Sequence, residues 1–148
     1  MENEIRSSVI SENVPVTERK KICCSKDAAD LLHDTLAGLD HEQTWALFLN
    51  NANVVTGIGH FCSGTIDACP IDKRRIVKTA LDTLATNIIL FHNHPSGEPS
   101  PSTSDIRETE ALRNCLSLFD INLMDHIIIS DGGYFSFADE KVNRYTTR

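Results

Sequence analysis

A chain of 148 residues is long enough to bury one sizeable core and short for two ordinary domains. Its net charge of −7, from 14 basic against 21 acidic side chains, argues against non-specific nucleic-acid binding, which depends on neutralising phosphates. No apolar run approaches the roughly 20 residues that span a bilayer, and the polar start Met1-Glu2-Asn3-Glu4 predicts no signal peptide. The five cysteines, Cys23, Cys24, Cys62, Cys69 and Cys115, form no CxxC pair and are odd in number, so reduced thiols and a cytoplasmic protein are expected.

Residues 1–24 read as an N-terminal extension with short strands over Ile5 to Ile10 and Lys20 to Cys24. A domain over 25–140 and a polar, fraying tail over 141–148 follow. Ser25 is a suitable helix N-cap, and Ala28, Leu31, Leu32, Thr35, Leu36 and Leu39 mark one helical face, with Gly38 as the stop. His33 lies off that face and reads as surface. Over Glu42 to Leu49 the pattern alternates: Trp45, Leu47 and Leu49 on one side of a strand, Glu42, Thr44, Ala46 and Phe48 on the other. Asn50-Asn51-Ala52-Asn53 supplies turn chemistry, and a strand over Val54 to Phe61 returns as a hairpin. Ser63-Gly64 breaks the chain. A helix from Asp72 follows Cys69-Pro70, with Ile76, Val77, Ala80, Leu81 and Leu84 inward. Its basic start, Lys73-Arg74-Arg75, reads as a solvated surface.

The unbroken apolar run Asn87 to Phe91 predicts a strand covered on both faces. A loop stiffened by Pro95, Pro99 and Pro101 leads to a helix from Ser102 to Leu118, with Ile106, Leu112, Leu116 and Phe119 inward. Strands over Leu123 to Ser130 and Tyr134 to Phe137 flank the turn Asp131-Gly132-Gly133. The alternation gives an α/β (α+β layered) domain, a mixed β-sheet flanked by helices.

The chemistry gathers where the central strand ends. Residues two apart in an extended chain share a face, so His92 and His94 project together, and Asp105 returns at the start of the next helix. Two imidazoles and a carboxylate leave a fourth tetrahedral position open, the arrangement of a catalytic zinc. Zinc lowers the pKa of bound water from 15.7 to about 7. A proton shuttle is also needed. Between Gly38 and His92 the acidic residues are Asp40, Glu42, Asp67, Asp72 and Asp82, and the one glutamate among them, Glu42, opens a strand and is the candidate. Ser102 is a candidate donor to an oxyanion. Ser102-Thr103-Ser104-Asp105 also fits a capping box, a purely structural reading compatible with the chemical one. His126, beside Asp125, reads first as a structural histidine, with a place behind the ligands as the alternative. His41 and His60 read as surface and as motif-free.

The spacing His92-x-His94, seven residues, Ser102, two residues, Asp105 resembles the JAMM motif of MPN-type metalloproteases. More narrowly, His92-Asn93-His94-Pro95-Ser96-Gly97 with Pro101-Ser102 and Asp105 resembles the RadC branch. Asp125-His126-Ile127-Ile128-Ile129, Tyr134-Phe135-Ser136-Phe137 and Ser63-Gly64-Thr65 extend the resemblance over about Ser25 to Glu140. It implies the JAMM/MPN fold, of cytidine-deaminase-like architecture. It also implies His92, His94 and Asp105 as zinc ligands, Ser102 as transition-state stabiliser and Glu42 as acid/base. The implied reaction is cleavage of a peptide or isopeptide bond in a protein or peptide substrate. Asn93 stands where eukaryotic JAMM enzymes often have Ser or Thr, and is usual in the RadC branch. The helix-hairpin-helix region that RadC proteins often carry does not fit within this length.

Two rival classes stay open: a nucleic-acid-linked protein, as the DNA-repair association of RadC suggests, and a non-catalytic interaction module. An HNH nuclease spreads its residues over a strand-strand-helix unit, unlike the adjacent His92-Asn93-His94. A zinc deaminase requires a downstream Pro-Cys-x-x-Cys, which is absent.

Overall fold

The computed structural model describes residues 10–63 and 71–145. Its elements run β1 (Ile10–Asn13), α1 (Ser25–Leu36), β2 (Gln43–Leu49), β3 (Val55–Ser63), α2 (Lys73–Asp82), β4 (Asn87–Asn93), α3 (Thr103–Ser117), β5 (Asn122–Ser130), β6 (Gly133–Ser136) and β7 (Lys141–Arg144). The strands form one sheet in the order β1-β3-β2-β4-β5-β6-β7. The sheet is mixed: β4 and β5 run parallel, with α3 as the crossover between them, and the other neighbours are antiparallel.

Strand alternation sorts the core into two layers. Leu47, Leu49, Ile89, Phe91, Ile127 and Ile129 pack with Ala28, Ala29, Leu32 and Leu36 of α1. Ala46, Phe48, Ile88 and Leu90 pack with Ile76 and Ala80 of α2 and with Leu112 and Leu116 of α3. β4 is buried from Ile88 to Asn93, as its unbroken apolarity requires. The two faces expected for β2 are the two faces observed. The Asn50 turn closes as its composition predicts: Asn50 Oδ1 accepts from Ala52 N and Val54 N at 2.9 and 3.1 Å.

The register between β4 and β5 shifts between Ile88 and Ile89, so Ile88 opposes Leu123 but Ile89 opposes Asp125. One extra residue in β5 reverses the alternation beyond it. His126, opposite Leu90, therefore faces the α3 layer rather than α1.

Several expectations need correction. Ser25 is the first helical residue, not the N-cap, which is Cys24; its hydroxyl reaches Asp139 Oδ2 instead. Lys20 to Cys24 contributes only a bridge from Lys21 to Val54, not a strand. Residues 141–144 are the edge strand β7 rather than a frayed tail. Leu84, Leu81, Ile106 and Phe119, expected inward, are exposed. Leu81 lies about 140° around α2 from buried Ile76, while Leu84 and Phe119 fall beyond the helix ends. Cys23, Cys24 and Cys115 are free thiols, but Cys62 is disulfide-bonded, against the expected fully reduced chain. The strand expected from Ile5 lies largely outside the described residues. So do Gly64, Thr65, Asp67 and the Cys69-Pro70 lead-in. Among the described residues no helix is long and apolar enough to cross a membrane.

Candidate metal centre

β4 delivers His92 on the same face as Ile88 and Leu90, toward α3. His94 lies just past the strand end but stays attached to β5, its N–H donating to Ile129 O at 3.0 Å. A tight turn follows, closed by Gly97 N–H to His94 O at 3.0 Å, with Gly97 at φ 92°. That left-handed conformation suits glycine. The chain then reaches α3, whose capping box is formed in both directions. Asp105 N donates to Ser102 Oγ at 3.0 Å and Ser102 N donates to Asp105 Oδ2 at 2.9 Å. The cap orients the Asp105 carboxylate toward the histidines.

Three side chains thus meet. His92 Nε2 is 3.0 Å from His94 Nε2 and 3.3 Å from Asp105 Oδ1, and His94 Nε2 is 3.1 Å from Asp105 Oδ2. One candidate ligand atom from each residue lies within 4.8 Å of the others. The remaining ring nitrogen of His94, Nδ1, lies 2.8 Å from the Glu98 carbonyl oxygen. A carbonyl only accepts, so Nδ1 carries the proton there and Nε2 of the neutral ring is a lone pair aimed inward. Two imidazole nitrogens and a carboxylate oxygen facing one small volume form an electron-rich set that fits a cation such as Zn²⁺.

The electrostatics match this crowding. Burial alone would raise the Asp105 pKa, but hydrogen bonds with His92, His94 and the Ser102 N–H hold its carboxyl well below the usual range. Burial works against a charged His94, yet hydrogen bonds to Asp105 and the Glu98 carbonyl push its pKa up.

Glu42 immediately precedes β2, whose Thr44 is paired with His92 of β4. Burial raises its pKa, and His92, His94 and Asp105 are the charges it feels. Its place is secured by Asn93, a residue whose part sequence reasoning did not identify. Asn93 Oδ1 accepts from Gln43 N at 2.8 Å, and its Nδ2 donates to the His41 carbonyl at 2.9 Å. The amide grips the main chain on both sides of Glu42, and at 1% exposure no water competes with it. Strand alternation explains the division of labour: His92 points to one face, Asn93 to the other.

Ser102 is exposed at the rim. Because its Oγ accepts from Asp105 N, its hydroxyl proton remains a donor. His126 is in direct contact with the cluster, its Nε2 2.7 Å from His92 Nδ1. Complete burial pushes its pKa well below the ordinary value. Phe137 stacks on its ring at 4.8 Å. Asp125, also buried, accepts from Ser136 Oγ, Ala138 N and His126 N at 2.7, 2.9 and 2.7 Å, stapling the segment after β6 to β5. His41 engages Asp40 and Gln43 at the rim. His60 is 7% exposed and stacks on Trp45, so it is a core residue. His33 packs edge-on against Tyr145 rather than lying free on the surface.

Comparison with known proteins agrees with this picture. Residues 22–142 match the family described as RadC-like JAB domain. A UPF0758 protein of Flavobacterium johnsoniae is 39% identical over 127 residues, covering 86% of this chain and 56% of that protein. One from Clostridium kluyveri is 37% identical over 122 residues, covering 82% and 54%. One from Vibrio cholerae is 37% identical over 115 residues, covering 78% and 72%. The chain thus spans a little over half the length of the first two relatives. With the match extending from the residues before α1 into β7, the chain belongs to the RadC-like JAB domain family.

Proposed function

We propose that the protein is a zinc-dependent hydrolase of the JAMM type that cleaves a peptide or isopeptide bond. The observation that carries this reading is the meeting of His92 Nε2, His94 Nε2 and the Asp105 carboxylate, all within 4.8 Å, at the end of β4. A bound zinc ion would supply Lewis acidity and a water of pKa near 7. The chain's own residues then divide the work. His92, His94 and Asp105 would hold the ion. Glu42, raised in pKa by burial, takes a proton from the attacking water and delivers it to the leaving amine. The Ser102 hydroxyl donates to the oxygen that becomes negative as the carbonyl is attacked. Its helix-capping bond holds it still for that purpose.

The test compares wild type with Glu42→Gln on fluorogenic peptide and lysine ε-isopeptide probes, with metal content measured in parallel. The reading expects both proteins to hold zinc and Glu42→Gln to lose about 10²–10⁴-fold in hydrolysis. A wild-type protein that takes up no zinc, or equal hydrolysis by both, would overturn it. Salt-sensitive DNA binding without hydrolysis would favour the nucleic-acid reading instead.

A further inference from the structure

His92 enters the cluster through Nε2 and turns Nδ1 into a seam between β4, β5 and α3. There Nδ1 lies 2.7 Å from His126 Nε2, and His126 Nδ1 lies 2.6 Å from Thr109 Oγ1. Thr109 Oγ1 lies 2.6 Å from the Asp105 carbonyl oxygen, one turn back on α3. His126 is 1% exposed, Thr109 2% and His92 7%, so the chain of bonds is closed to solvent.

Each link has one permitted direction. The Asp105 carbonyl only accepts, so the Thr109 hydroxyl donates its single proton there. At His126 the hydroxyl can then only accept, which makes Nδ1 the protonated nitrogen of a neutral His126 ring. His126 Nε2 is left as a lone pair and accepts from His92 Nδ1–H. In the neutral His92 ring, Nε2, facing His94 and Asp105, is then the unprotonated nitrogen.

We propose that Thr109 and His126 are positioning residues that fix the tautomer of His92, presenting its Nε2 lone pair to a cation. Ligating histidines usually lean on a carbonyl or carboxylate, which can only accept. An imidazole partner can donate or accept, so its direction has to be set one step further away, at Thr109. The register shift in β5 is what brings His126 to this face. The consequence for metal rests on the zinc reading above; the tautomer does not.

The experiment labels the histidines of the metal-free protein with ¹⁵N and reads the protonated ring nitrogens by long-range ¹H–¹⁵N correlation. Zinc affinity is measured separately by competition with a chromophoric chelator. In wild type, His92 and His126 should both carry the proton on Nδ1. Thr109→Val should mix the tautomers of both rings and weaken zinc binding by about 10-fold or more. Thr109→Ser, which keeps the hydroxyl, should restore both. A neutral wild-type His92 or His126 ring with its proton on Nε2 in place of Nδ1 would overturn the proposal, as would Thr109→Val with wild-type tautomers or wild-type affinity. If Thr109→Val does not fold, the wild-type spectrum still decides. Correct tautomers in a protein that binds no zinc would support the relay and overturn the function proposal instead.

Discussion

The two histidines of the cluster are one residue apart, yet different kinds of structure hold them. His94 sits on the rim, and its outer nitrogen bonds a main-chain carbonyl, Glu98 O. His92 sits over a sealed seam, and its outer nitrogen bonds a side chain, His126, backed by Thr109. A main-chain partner survives substitution of its residue; a side-chain partner does not. The rim is therefore expected to tolerate changes around His94, whereas the seam should transmit them to the metal.

The largest effect should come from Asp105, which belongs to both regions. Asp105→Ala removes a proposed ligand and half of the capping box. It should cost more than about 100-fold in zinc affinity, beyond the range of outer-partner changes, and about 1 kcal/mol of helix stability. Chelator competition and thermal melting read the two losses separately. Asn93→Ala comes next. It frees the main chain around Glu42 while leaving every proposed ligand intact. Hydrolysis should fall by about 100-fold, the cost of a small misplacement, with zinc affinity unchanged. A matching loss of zinc would show that Asn93 serves the ligands rather than Glu42.

The seam should also show in the pH dependence of the metal-free protein. Burial depresses the His126 pKa in the folded state, so the unfolded chain binds that proton first. The contribution is intact above the ordinary value of about 6.5 and is lost as pH falls below it, with a slope of at most about 1.4 kcal/mol per pH unit. His94, whose pKa is raised, works in the opposite sense: its contribution is kept at low pH and lost as pH rises through the folded value. Denaturant titrations of wild type and His126→Gln should differ in this acid slope. The smallest effect belongs to the rim. Glu98→Ala keeps the carbonyl that His94 uses and should leave zinc affinity unchanged, which a chelator competition checks.

How much of this was readable in the sequence follows the range of the interactions. His92 and His94 were visible because alternation places residues two apart on one face, and Asp105 because Ser102-Thr103-Ser104-Asp105 is a local capping pattern. The faces of β2 were legible for the same local reason. Asn93 acts on residues some fifty positions away, and Thr109 meets His126 across the crossover, separations of 52, 50 and 17 that no local pattern encodes. His126 is harder still, since the β5 register shift reverses which face alternation would assign it. Leu84 and Phe119 were misplaced because helical spacing was carried past the real helix ends. The edge strand β7 is too polar to announce itself and forms by pairing with β6.

X-ray absorption on the zinc-loaded protein tests the central claim most directly, because it reports which atoms surround the metal. The account predicts one zinc per chain with a nitrogen and oxygen shell at about 2.0–2.2 Å and an imidazole signature, lost in Asp105→Ala. No zinc uptake, or a sulfur shell near 2.3 Å from the free cysteines, would contradict it.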